Sequence, residues 1–116
     1  MRATERTLTP HELKLMGAPS IEREDGLCPF CLRRATERHH IVPRSQGGED
    51  GPTVLVCGFG NADGCHGRLH GHTLHLDWDE RNGWTYKATR KPVKWGKARQ
   101  MRGWRKVRTE PLGWGC

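Results

Sequence analysis

Three clusters of residues in this 116-residue chain have chemistry to offer: Cys28-Pro29-Phe30-Cys31, His39-His40, and Cys57 with Cys65-His66 and His70. Two thiols separated by two residues can wrap one metal ion as thiolates or can act as a redox pair. A redox pair wants a strand leading into a helix whose N-terminus activates the first thiol. Here a short polar stretch, residues 32–38, leads instead into the histidine pair. The sequence therefore favours metal ligation, with Cys57 and Cys65 as the second half of the site.

His39 and His40 precede Ile41-Val42-Pro43, the composition of a strand running into a loop. Neighbouring side chains on a strand point to opposite faces, so one imidazole can hold a metal while the other reaches toward water or substrate. Alone, such a pair would be an ordinary surface feature of an edge strand. In the company of the cysteines, His66 and His70 it becomes a candidate site. His66 and His70 stand four apart, on one face of any helix that carries them.

Those side chains need a scaffold, and the composition makes it a lean one. Only 34% of residues are hydrophobic, against 15 Gly and 7 Pro. A thin core of this kind calls for a metal, disulfides or a partner. No apolar run approaches the roughly 20 residues that span a bilayer, and the N-terminus lacks a signal-peptide core. The expectation is a reducing, cytoplasmic setting without membrane contact, where cysteines serve as ligands rather than disulfides. Five cysteines then divide into four ligands and a spare, Cys116.

Charge is distributed unevenly. Residues 1–80 hold nine Lys/Arg against twelve Asp/Glu, whereas residues 81–116 hold eleven against Glu110 alone. So one-sided a segment suits a polyanion, and nucleic acid is the commonest. Trp95 and Trp104 interleave with these cations, a pairing that suits phosphate contact plus base stacking.

The positioning elements can be read in turn. Thr9-Pro10-His11-Glu12 predicts a helix start with Thr9 as N-cap, and Gly17-Ala18-Pro19 a stop. Val54-Leu55-Val56 predicts a strand pairing back on residues 38–42 across a long loop. Residues 58–64 read as a flexible insertion, after which Asp63-Gly64 caps a short helix over residues 65–69. Residues 73–78 alternate apolar and polar, Asn82-Gly83 signals a hairpin turn, and residues 84–86 return. Leu74, Leu76, Trp78, Trp84 and Tyr86 are expected to form a second small core. Residues 87–108 are expected to be only partly ordered, because Pro92, Gly96 and Gly103 interrupt them. His11, His72 and His75 are assigned no chemical role.

The set formed by His39-His40, a Gly-rich loop, a strand and Cys65-His66-x3-His70 inside a four-cysteine frame resembles the HNH endonuclease family. It is most similar to small phage- and prophage-encoded members, which carry stretches like Cys57-Gly58-Phe59-Gly60 and Gly64-Cys65-His66-Gly67. The resemblance spans residues 27–71. It implies a small, zinc-stabilised α+β fold with a ββα-metal (His-Me finger) core at residues 27–71. An N-terminal segment with a short helix (1–26), a β-hairpin (72–86) and a basic Trp-containing tail (87–116) would flank that core.

The resemblance further implies a structural Zn2+ on Cys28, Cys31, Cys57 and Cys65. His39, His66 and His70 take the positions of ligands to a catalytic divalent ion (Mg2+, Mn2+, Ni2+, Co2+ or Zn2+), and His40 that of the general base. Four thiolates leave a zinc no open position, so the reactive ion must be a second one. Pro52 or Thr53 falls where the family carries its middle Asn, so the brace on the base must be built differently here. The implied activity is metal-dependent cleavage of DNA, mainly double-stranded, leaving 5′-phosphate and 3′-hydroxyl ends. Phage packaging (terminase) proteins are the implied protein partners, and the oligomeric state stays open. Candidate DNA contacts are Arg44, Arg68, Arg90, Lys91, Lys94, Trp95, Lys97, Arg99, Arg102, Trp104, Arg105 and Lys106. The rival reading is a non-catalytic zinc module that binds DNA through its tail; it would have no use for the four histidines together.

Overall fold

The computed structural model describes residues 15–42, 51–60 and 62–109. The Thr9 helix start, Arg44 and Cys116 lie outside the described residues. Leu15 is helical, and Gly17 with a φ of +94° followed by Pro19 ends that turn as the sequence predicts.

Strand β1 (Glu37–His40) pairs antiparallel with β2 (Thr53–Val56), placing His39 opposite Val54 and His40 opposite Thr53. The β-branched Val54 and Val56 are fully buried, which fixes the inward face of β2. Ile21 bridges Val54 in parallel: the Thr53 carbonyl accepts its N–H at 2.7 Å, and its own carbonyl accepts the Leu55 N–H at 3.0 Å. Helix α1 (Gly64–His70) follows and packs on β2.

Strand β3 (Leu74–Asp79) turns into β4 (Gly83–Ala88) at Asn82-Gly83. The Asp79 carboxylate accepts the N–H groups of Arg81 and Asn82 at 2.8 and 2.7 Å, and Gly83 takes a φ of +68°. The basic segment does not trail from this hairpin. It forms α2 (Trp95–Ala98) and a third strand, β5 (Arg105–Lys106), antiparallel to β4. The described residues thus form a small α+β fold with two antiparallel sheets, of two and three strands.

Three expectations need correcting. The hairpin does not own a second core: Leu74, Leu76 and Trp84 join Leu15, Ile21, Val54, Val56 and three of the cysteines in one buried cluster. So few apolar residues cannot sustain two interiors. The described residues of the expected flexible insertion, 58–60 and 62–64, are not slack. The Phe59 N–H donates to the Asp63 carboxylate at 3.0 Å, the Gly60 N–H to Glu37, and the Thr36 hydroxyl to the Gly58 carbonyl at 2.6 Å. Asp63 consequently sits at the N-cap of α1 without its side chain capping the helix. No helix among the described residues is long and apolar enough to cross a membrane.

Trp95 and Trp104 are half-buried anchors for the basic segment, their indole N–H groups donating to the carbonyls of Leu76 (3.1 Å) and Ala98 (3.2 Å). The far end is tied down by Arg23. Its buried guanidinium grips both Asp25 oxygens (2.9 and 2.6 Å) and donates to the Arg108 carbonyl at 3.2 Å.

Candidate metal centres

Among the described residues, two clusters could each hold a metal ion. The first comprises Cys28, Cys31, Cys57 and Cys65, whose sulfurs all lie within 4.8 Å of one another. A tight turn supplies the first pair: the Leu32 N–H donates to the Cys28 carbonyl at 2.9 Å, the Cys28 N–H to the Arg33 carbonyl at 2.6 Å. Leu32 accepts a φ of +64° to complete the turn. Cys57 leaves β2, Cys65 opens α1, and the Cys65 N–H points at the Cys57 sulfur at 3.3 Å. Cys31 and Cys57 sulfurs also stand 3.3 Å apart.

The electrostatics fit a cation. A hydrogen bond from Cys65, helped by backbone N–H groups of Cys31, Cys57 and Phe30, draws the Cys28 thiol down to about 5. The same contact pushes Cys65 up, and burial pushes Cys31 up. Without a metal, Cys28 forms a thiolate while Cys31 and Cys65 keep their protons. A divalent ion removes that conflict by stabilising all four as thiolates, and four thiolates in tetrahedral reach are the donor set of a structural zinc.

The second cluster comprises His39, His66 and His70, again with ligand nitrogens within 4.8 Å. His66 and His70 stack along α1, and β1 carries His39 against both. Ring centroids are 5.2 Å (His39–His66), 4.8 Å (His39–His70) and 4.8 Å (His66–His70) apart. The Nε2 atoms of His66 and His70 are 3.2 Å apart. Burial, reinforced by the neighbouring His70, His66 and His40, pulls His39 down to about 4; burial likewise lowers His70. Both are therefore held as free bases, the form that ligates metal. His66 Nδ1 is buried with no hydrogen-bond partner.

Strand alternation turns His40, the last residue of β1, to the face opposite His39. At the position lacking an Asn, the Pro52 carbonyl accepts the Ile41 N–H at 3.1 Å, and Ser20 accepts the Thr53 N–H at 3.0 Å. The Thr53 hydroxyl accepts from Arg38 at 3.0 Å. His75 is a core histidine beside the Thr89 hydroxyl at 3.3 Å.

On the outer side of α1, Arg68 is shared by two clefts of about 450 and 400 Å³. Arg90 lines one, Lys87 and Arg105 the other, and no carboxylate lines either. A third cleft, on the far side of the three-stranded sheet, mixes Arg99 and Lys106 with Asp77 and Asp79. Arg90, Lys91, Lys94, Lys97, Arg99, Arg102, Arg105 and Lys106 are all exposed. Sequence reasoning passed over Lys87, and also Phe59, an exposed ring between two glycines. Compared with family models, with curated proteins and with solved structures, the chain shows no match.

Proposed function

We propose that this chain is a metal-dependent DNA endonuclease of the HNH type, with a ββα-metal core formed by β1, β2 and α1. The observation that carries the reading is the juxtaposition of two unlike donor sets. A four-cysteine cluster suits a closed structural site, and a separate three-histidine cluster leaves coordination positions open for water and phosphate. A pure binding module would need only the first.

In this reading Cys28, Cys31, Cys57 and Cys65 hold zinc and fasten β2 to α1. His39, His66 and His70 hold the second divalent ion. When bound, that ion supplies Lewis-acid stabilisation of charge on the phosphate and the leaving oxygen. His40, on the other face of β1 and so free of the ligand set, accepts the proton from the attacking water as general base. Arg68, with Lys87, Arg90 and Arg105, offers phosphate contacts that position the duplex without reading its sequence.

Supercoiled plasmid offered with Mg2+, Mn2+, Ni2+, Co2+ or Zn2+ tests the proposal. Wild type should nick with at least one ion. His40→Ala should lose about a hundred- to ten-thousand-fold in rate while still binding the ion. His39→Ala and His66→Ala should bind the ion weakly and recover partly with added metal. A wild-type chain that nicks under none of the five leaves the zinc-module reading.

A further inference from the structure

Phe59 is 77% exposed, the most exposed of the large hydrophobic side chains among the described residues. It does not sit on a slack loop. Its own N–H is held by the Asp63 carboxylate at 3.0 Å, and the next N–H, of Gly60, by Glu37. Gly58 on its other side is pinned by Thr36 and touches the loop's return so closely that a Cβ there would lie 2.1 Å from the Asp63 carbonyl oxygen. Gly58 and Gly60 take φ values of +114° and +80°. The loop thus presents one aromatic ring on a rigid mount, with glycine on both sides and no neighbouring Cβ to block close approach.

The mount is tied to the two elements that carry the histidine cluster. Glu37, which grips the loop, is two residues before His39 and therefore on the same face of β1. The loop itself runs directly into α1, which carries His66 and His70. Arg68 of that helix lines two clefts, one shared with Arg90 and the other with Lys87 and Arg105, and no carboxylate lines either. An apolar protein partner would need a contiguous patch to bury. A single ring between glycines, on a loop that leads into the helix carrying the exposed cation Arg68, matches a ligand that alternates flat apolar faces with phosphates.

We propose that Phe59 is a base-stacking wedge, which seats against an opened or kinked step of DNA while the cationic clefts hold the flanking phosphates. The proposal rests on this face meeting DNA, not on cleavage. Tail tryptophans would be the obvious stacking groups in the sequence, but Trp95 and Trp104 donate their N–H groups to backbone carbonyls. The loop supplies the ring they do not.

The test uses the full, zinc-loaded chain carrying His40→Ala to keep the DNA intact, and duplexes with fluorescent aminopurine placed at successive positions. Binding should change the fluorescence at one step. Adding Phe59→Ala should abolish that change and weaken binding about five- to 150-fold, the range seen when one base–aromatic stack is removed. The salt dependence should not alter, because no phosphate contact is lost. Phe59→Trp should keep both signals. Unchanged affinity and fluorescence in Phe59→Ala, or no DNA binding by the parent chain at low salt, overturns the wedge. A chain that stacks on DNA in this assay but never nicks plasmid keeps the wedge and loses the nuclease.

Discussion

His66 and His70 stand one turn apart on α1 with their Nε2 atoms 3.2 Å from each other, while His39 reaches both rings from β1. Two ring nitrogens so close share one donor–acceptor contact, whose direction depends on the tautomers. His39 and His70 are both pushed down from the ordinary imidazole range by burial, which leaves their lone pairs available to a cation, as a metal site requires.

Metal on the cysteines should decide whether the chain folds. Structural zinc binding is worth about 10–16 kcal/mol in small zinc peptides, against a total stability of about 5–15 kcal/mol for a whole domain. With so thin a core, the zinc term is the larger. Elemental analysis should find about one tightly held zinc per chain. Strong chelation, or Cys28→Ser, should abolish the cooperative thermal transition, whereas a metal-free chain with an unchanged transition would refute the assignment.

His39 makes a prediction about acid. Burial holds it near 4 in the fold, while an unfolded imidazole titrates near about 6.5. Between those values the unfolded chain binds a proton that the folded chain refuses, so stability should fall as pH drops from about 6.5 toward 4. Above that window the contribution is fully present. Urea midpoints of the zinc-loaded chain without a second ion, wild type beside His39→Gln, should show the shallower pH dependence in the variant. Parallel curves would mean that His39 is solvated.

Two helical glycines should respond to alanine with opposite signs. At Gly96 in α2 nothing lies within 4 Å of an added Cβ, so Gly96→Ala should stabilise by about 0.4–1 kcal/mol. At Gly67 in α1 the added Cβ would meet the Ala62 backbone carbon at 2.5 Å. Helix propensity still favours alanine there by about 1 kcal/mol, but backbone cannot step aside as a side chain can. Gly67→Ala should therefore destabilise, by about 1–3 kcal/mol, as read from urea unfolding, and with it disturb both metal clusters.

Salt dependence separates the exposed cations from the structural ones. Lys91, Lys94 and Arg102 are exposed, so changing them to Gln should leave the thermal transition in place. Each phosphate contact removed should lower the magnitude of the log–log salt slope of DNA binding by about 0.9. Truncation after residue 86 is a different experiment. It removes α2, β5 and the Trp95–Leu76 tie, so it should reduce stability as well as affinity. If the Gln variants keep the full slope, these three side chains touch no phosphate.

That the cysteines and histidines would gather into clusters was legible in the sequence because the signals are local. Cys28-x2-Cys31, the i, i+4 pair His66 and His70, and the Asn82-Gly83 turn each depend on a few neighbouring residues. The pairing of β1 with β2 was legible too, since Val54-Leu55-Val56 had one plausible partner. What escaped was non-local. Trp95 meets Leu76, Trp84 donates to the Pro19 carbonyl, and Arg23 meets Arg108 across 85 residues. No spacing rule announces such contacts, so a segment broken by Pro and Gly reads as loose when tertiary packing makes it a strand and a helix. The segment after Cys57 misled for a related reason: Gly58 and Gly64 serve close approach of backbone to backbone rather than freedom.

The grip of Arg23 on the Arg108 carbonyl has a thermodynamic consequence. A flexible polycation must be ordered as it binds, and that conformational entropy opposes association. Here the cationic segment is fastened at both ends, by Trp95 near its start and by Arg23 at residue 108, so its ordering has already been completed in folding. Association with a polyanion should then be dominated by the entropy of released counterions, with little of the enthalpy and heat-capacity change that marks coupled folding.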